Sequence, residues 1–341
     1  MPLTDALCFQ TTDGVTVWSQ CGNGGNTILR TDERPFGSCK SAYRQNVFCP
    51  HGVVMGLASA RNAKLNTTRM GFTTIVMVAT QKGSWLPGSM DEVTFLDGYD
   101  SSAKELARVA FSTPVLSISL EPAGGWLYAL HGERTVSKLQ LTDGLPEPNA
   151  KWSKVFDIAA AAVPTPAMLS VGTSQKFVYV SDTVSNLVAQ LSGTTGNKLR
   201  NLGSSQLVPV PLPVSGTYIS GTMMGPRNVA VWSRPDGDHI LVLETLGPAR
   251  IGQWDSAGKL EREWTTPQSK ANYGWALDPD SPNHASTQGL NFSISRGASD
   301  SLLLISGVSH AIRFYAEGSP SGLEFCEAGG MEPSQPVPEP F

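Results

Sequence analysis

The side chains best suited to chemistry are scattered along this 341-residue chain: His51, His131 and His310, among only five histidines, and the carboxylates Asp182 and Glu244, each closing an apolar run. Imidazoles and carboxylates brought together could hold a divalent cation, Zn²⁺ or Ca²⁺, which would polarise a carbonyl or activate water. In such a site His51 and His131 serve as ligand or base, and Glu244 or Asp182 binds the metal or shuttles a proton. No fixed ligand spacing links them. The competing reading is structural, with hydrogen-bonded histidines and carboxylates that accept turn N–H groups.

Denser motifs fail. No cysteine pair has C-x-x-C spacing, so a zinc or redox motif is not expected. "GNGGN" at 22–26 lacks the Lys-Ser/Thr of a phosphate loop and reads as a turn. "DPDSPNHAST" at 278–287 offers carboxylates and an Asn but no Glu at the calcium-loop distance. The eight Trp residues fall mostly within strand-like runs such as "GVTVWSQ" and "RIGQWD", which suits packing better than sugar stacking.

Composition narrows the partners. A net charge of −4 with 16% charged residues supplies no basic field for a phosphate backbone, which argues against nucleic acid. No run approaches the roughly 20 apolar residues of a membrane span, and "MPLTDALCFQ" has neither the basic nor the apolar region of a leader. The expectation is a soluble chain whose start is compatible with a processed or excised domain. Two sequons, at Asn66 and Asn291, and the clustering of Cys8, Cys21, Cys39 and Cys49 lean toward an extracellular or secreted setting, with disulfides as one fate of the thiols and burial as the other.

The elements that must position these side chains repeat. "GPRNVAVWSRPDGDHILVLETLGPARIGQWDSAGKLEREW" from Gly225 runs as apolar strand, turn, apolar strand ending in an acid, small turn, alternating strand and D-S-A-G-K. The same order recurs from Thr113, Thr165 and Thr287, and in a diverged form from Pro50. Anchors at Pro50, Pro114, Pro166, Pro226 and Thr287 fall at intervals of roughly 50 to 65 residues, with room for four strands each. Such units cannot bury their own faces alone, and radial stacking into a β-propeller is the solution that leaves only short edges.

Residues 1–49 contain strand-like "DALCFQ", "GVTVWSQ", "GNTILRT" and "NVFC", and "GLEFCE" lies near the other end. The expectation is an all-β, six-bladed propeller over 1–330, closed by a composite blade from both termini, with the Pro-rich 331–341 as tail or linker. That closure brings Cys326 toward the N-terminal strands, and a Cys8–Cys326 bridge is one pairing it allows. Within "WLPGSMDEVTFLDGYDSSAKELARVAF", Ser101 to Val109 reads as a short helix.

"LVLETLGPARIGQWDSAGKLEREW" resembles the NHL repeat: an apolar strand ending in an acid, a turn into Arg-Ile, and Asp-Ser-x-Gly-Lys closing the hairpin. "FVYVSDTVSNLVAQL" and "HAIRFYAEG" are weaker versions. The resemblance implies an NHL-like six-bladed propeller in which the starts of the first strands and the turns after the second strands open on one face around a channel. Carried over to this chain, that face draws His51, Thr113, Thr165, Arg227, Asn228 and Gln288 from the strand starts, and His131, Asp182 and Glu244 from the second-strand ends. Arg227 could alternatively bridge neighbouring blades.

Two functions fit. One is a binding scaffold that presents this face and its loops, elaborated at 84–112 and 201–226, to a protein or glycan partner. The alternative is a metal-assisted lyase or lactonase-like hydrolase working at the channel face, as the resemblance to enzyme-containing propellers allows.

Overall fold

Strands such as "WLYALH" and "FVYVSD" are apolar at successive positions, the pattern of a sheet covered on both sides rather than one facing water. The structure, a computed structural model, bears this out. It describes residues 8–12, 16–21, 28–32, 44–48, 52–65, 73–82, 90–100, 104–182, 184–205, 220–223, 225–234, 236–244, 250–265, 292–296, 302–306, 312–319 and 322–328.

The first sheet is β1 (Cys8–Thr12), β2 (Thr16–Cys21), β3 (Ile28–Asp32) and β4 (Arg44–Phe48). The second is β5 (Val53–Asn62), β6 (Thr73–Gln81), β7 (Glu92–Asp97) and β8 (Glu105–Ala110). The third comprises β9 (Val115–Leu120), β10 (Trp126–His131), β11 (Thr135–Thr142), the short β12 (Leu145–Pro146) and β13 (Ser153–Asp157). The fourth is β14 (Pro166–Val171), β15 (Phe177–Asp182), β16 (Leu187–Ser192) and β17 (Lys198–Leu202). A parallel pair, β18 (Ser204–Ser205) and β19 (Thr222–Met223), leads to the fifth sheet: β20 (Pro226–Arg234), β21 (Gly237–Glu244), β22 (Arg250–Asp255) and β23 (Leu260–Thr265). The last is β24 (Phe292–Arg296), β25 (Leu302–Ser306), β26 (Ile312–Ser319) and β27 (Gly322–Ala328).

Apart from the parallel β18–β19 pair, all strands pair antiparallel within their sheets, and the arrangement is all-β and propeller-like. Only a single 3-10 turn, Thr173–Gln175, is helical among the described residues. The first strands follow one another face to face: β5 lies against β9, β9 against β14, β14 against β20, β20 against β24, and β1 against both β24 and β5.

Strand alternation divides the core between neighbouring sheets. On β10, Leu127 and Ala129 pack with Met77 and Phe95 of the second sheet, while Tyr128 and Leu130 pack with Val178 and Val180 of the fourth. On β15, Tyr179 turns the other way, to Ile240, Val242 and Trp254 of the fifth sheet. Each Leu, Ile, Val, Met or Phe among them, fully buried, contributes about 1.5–3 kcal/mol of apolar transfer. The third and fourth sheets therefore each depend on both of their neighbours. Serines on the first strands add polar ties, since Ser117 and Ser119 Oγ accept from Leu169 and Val171 N at 3.3 Å, and Ser170 Oγ from Val231 N at 3.1 Å.

Two expectations are corrected. Among the described residues the termini do not share a blade: β1 to β4 form a sheet of their own, and β27 pairs with β26, because both ends carry enough strand-forming sequence to complete their own meanders. Nor is Ser101–Val109 a helix. Its described part forms β8, with Ala107 opposite Phe95 and Val109 opposite Val93, because an uncovered β7 edge offers a full ladder to a segment too short to sustain a helix. The tail 331–341 lies outside the described residues.

Candidate functional site on the strand-start face

The turns after the second strands and the starts of the first strands open on the same face, as antiparallel pairing requires. Val115 pairs with His131, Pro166 with Asp182 and Pro226 with Glu244. The resemblance-based placement of His131, Asp182 and Glu244 thus falls at equivalent points of three consecutive sheets.

One residue past the starts of β9, β14 and β20, and two past that of β5, the ladder slips. Met55, Leu116, Ala167 and Arg227 are each the extra residue of a β-bulge at the same place in four sheets. A bulge re-aims the chain locally and is common beside functional sites. Three of these positions are apolar; Arg227 puts a charge in the fourth. Asn228 follows it, opposite Leu243.

His131 is held at both ring nitrogens. Its Nδ1 lies 2.6 Å from Thr113 Oγ1 and its Nε2 2.8 Å from Ser137 Oγ, while Phe111 sits 5.3 Å away, ring centre to ring centre. Burial pushes its pKa down, with Lys154 adding to the effect and Asp157 opposing it. The imidazole is therefore neutral at pH 7 and tied to two hydroxyls.

Asp182 is engaged more completely. Its Oδ1 accepts from Val184 N and Ser185 N at 3.0 Å; its Oδ2 accepts from Ser185 Oγ at 3.0 Å and from Thr165 N at 3.3 Å. These bonds close the β15–β16 turn and fasten it to the start of β14. Thr113 and Thr165 are thus the partners of His131 and Asp182 within their own sheets. Glu244 is fully buried at the matching position. His51, Gln288 and His310 lie outside the described residues.

A second set of residues on this face escaped the sequence reading. The residue immediately before the third strand is Asp91, Arg134 or Asn186 in three successive sheets, and each grips the segment leading into the next sheet. Asp91, buried between Lys82 N and Val115 N, accepts from both at 2.9 Å. Arg134 donates to Val163 O at 2.6 Å and also to Pro164 O. Asn186 Oδ1 accepts from Gly225 N at 2.9 Å. Beside Asp91, Glu92 takes Lys82 at 2.7 Å and Arg108 at 3.2 Å. A polar residue at one fixed offset in three units was the available signal, visible once the third-strand starts are aligned.

Among the described residues, no three His, Cys, Asp or Glu side chains gather closely enough to hold a metal ion. What the face leaves open to solvent includes Val184, 68% exposed in the β15–β16 turn, and Met90, 58% exposed just before β7.

No family model matches the chain, and no curated protein matches it by sequence. Among solved structures it is similar to a putative 6-phosphogluconolactonase from Bacteroides uniformis, with a TM-score of 0.50 and 15% identity over 94% of this chain and 83% of that one. At that identity the likeness speaks for the fold alone. Hydrazine synthase of Kuenenia stuttgartiensis matches 56% of this chain at a TM-score of 0.36 and 17% identity. This chain spans less than half of that one, 46%. No helix among the described residues is long and apolar enough to cross a membrane.

Proposed function

We propose that the chain is a recognition propeller of six blades over residues 1–330, akin to NHL propellers, whose strand-start face binds a protein or glycan partner. The observation that carries this reading is the engagement of the polar groups on that face. Asp91, Arg134 and Asn186 hold sheet to sheet, Asp182 locks its turn, and His131 is bonded at both nitrogens. A catalytic base must be free to take a proton from substrate. A face fixed by its own hydrogen bonds instead offers a preorganised surface, on which exposed Val184 and Met90 are contacts left to give. The cyclic succession of first strands, with β1 between β24 and β5, supports the count of six. The cysteine clustering and the two sequons support an extracellular location.

Affinity capture from the native source tests the function. The full chain should retain a partner in stoichiometric amount, and a chain lacking 207–216 should lose it. Recovery of nothing, together with turnover of a lactone and a bound divalent ion in the purified protein, would establish the metal-assisted enzyme instead.

A further inference from the structure

We propose that Cys8 and Cys21 are joined by a disulfide across the first hairpin. In the β1–β2 ladder these two residues are direct register partners, the pair farthest from the turn. Directly opposed residues of an antiparallel pair have Cα atoms about 4.5–5.5 Å apart, and disulfides form across about 4.4–6.8 Å. Opposed positions also share one face of the sheet.

Cys326 is placed far less well for either. It stands opposite Phe314 on β27, the outermost strand of its sheet, whereas β1 lies against β24, the innermost. Three strand spacings amount to roughly 14 Å. Cys39 and Cys49 lie outside the described residues.

The position gives the bond a purpose. β1 touches both β5 and β24, so it is the strand through which the beginning and end of the chain meet, and among the described residues no ladder joins it to either of those sheets. A covalent tie from β1 to β2 prevents this strand from fraying and restricts the unfolded chain. The bond forms by thiol–disulfide exchange with a low-molecular-weight disulfide such as oxidised glutathione. One cysteine thiolate attacks a sulfur of the reagent and releases one thiol; the second thiolate then attacks the mixed disulfide and releases the other. Two electrons and two protons pass from the protein to the reagent. This inference does not depend on what the propeller binds.

The test equilibrates the full chain in glutathione buffers of stepped redox ratio, blocks free thiols with an alkylating reagent, and digests with trypsin. No Lys or Arg precedes Arg30, so both cysteines fall in the peptide of residues 1–30. That peptide should appear unalkylated and lighter by two hydrogens under oxidising ratios, and doubly alkylated after reduction. Cys8→Ser and Cys21→Ser should each melt about 5 °C below the oxidised chain and level with the reduced one. A peptide doubly alkylated at every ratio, or cross-linked to the segment carrying Cys39, Cys49 or Cys326, overturns the assignment.

Discussion

Thr113 Oγ1 stands 2.6 Å from His131 Nδ1, where the next sheet sets Thr165 N 3.3 Å from the Asp182 carboxylate, so an imidazole takes the place of a carboxylate in the same lock. The exchange makes one blade sensitive to acid. Burial lowers the His131 pKa, so the unfolded chain takes up a proton near the ordinary imidazole value of about 6.5 before the folded one does. Stability from His131 is complete above that value and is lost as pH falls below it.

His239 behaves in the opposite sense. Burial works against its charge, but Glu261 at 2.5 Å and Asp236 at 3.2 Å outweigh burial and raise its pKa. Its contribution is complete below about 6.5 and is lost as pH rises through the raised folded value. Urea unfolding from about pH 5 to pH 8 should therefore show His131→Gln flattening the acid limb of the stability profile and His239→Gln the neutral-to-alkaline limb. The same change from both substitutions would contradict these assignments.

Asp182 supports four hydrogen bonds with two oxygens. Asp182→Ala should cost about 2–3 kcal/mol by denaturant unfolding, and Asp182→Asn, which keeps one acceptor oxygen, less than half of that. An unchanged midpoint for the alanine variant would mean that the turn does not need its cap.

Ser170 offers the acceptor for Val231 N across two first strands. Ser170→Ala leaves that buried N–H without its partner and should cost about 1–3 kcal/mol. Leu199→Ala, at a position 49% exposed on β17, should stay within about 0.5 kcal/mol. Equal effects from the two would argue against hydrogen-bonded coupling of neighbouring blades.

Closure of the ring through β1 has its own consequence. Removing residues 1–12 uncovers the first strands of two sheets at once and should lower the melting temperature sharply. Removing 331–341 should leave it almost unchanged, since that segment has too few apolar residues to pack. Small, equal shifts would mean that β1 does not close the ring.

Much of the fold was legible because a doubly covered strand leaves a continuous apolar run. "FVYVSD" and "WLYALH" mark β15 and β10, and the anchors Pro114, Pro166 and Pro226 fall at or just before the starts of β9, β14 and β20. The illegible parts depended on neighbours. Whether "AKELARVA" is helix or strand is decided by the bare edge of β7, not by its own propensity. Asp91, Arg134 and Asn186 act on partners 24 to 39 residues ahead, so no local motif contains both ends of the contact. The acidic position was readable at Asp182, and the structure assigns it the turn-capping role.

Affinity capture with point variants is the most direct test of the proposed recognition face. Arg227→Met restores the apolar type found at the other three bulges, and Val184→Arg alters an exposed turn on the same face; Leu199→Arg alters the exposed outer strand β17 instead. The first two should abolish partner retention while all three chains melt within about 2 °C of the parent. Retention undiminished by both face variants, or lost equally with Leu199→Arg, would contradict it.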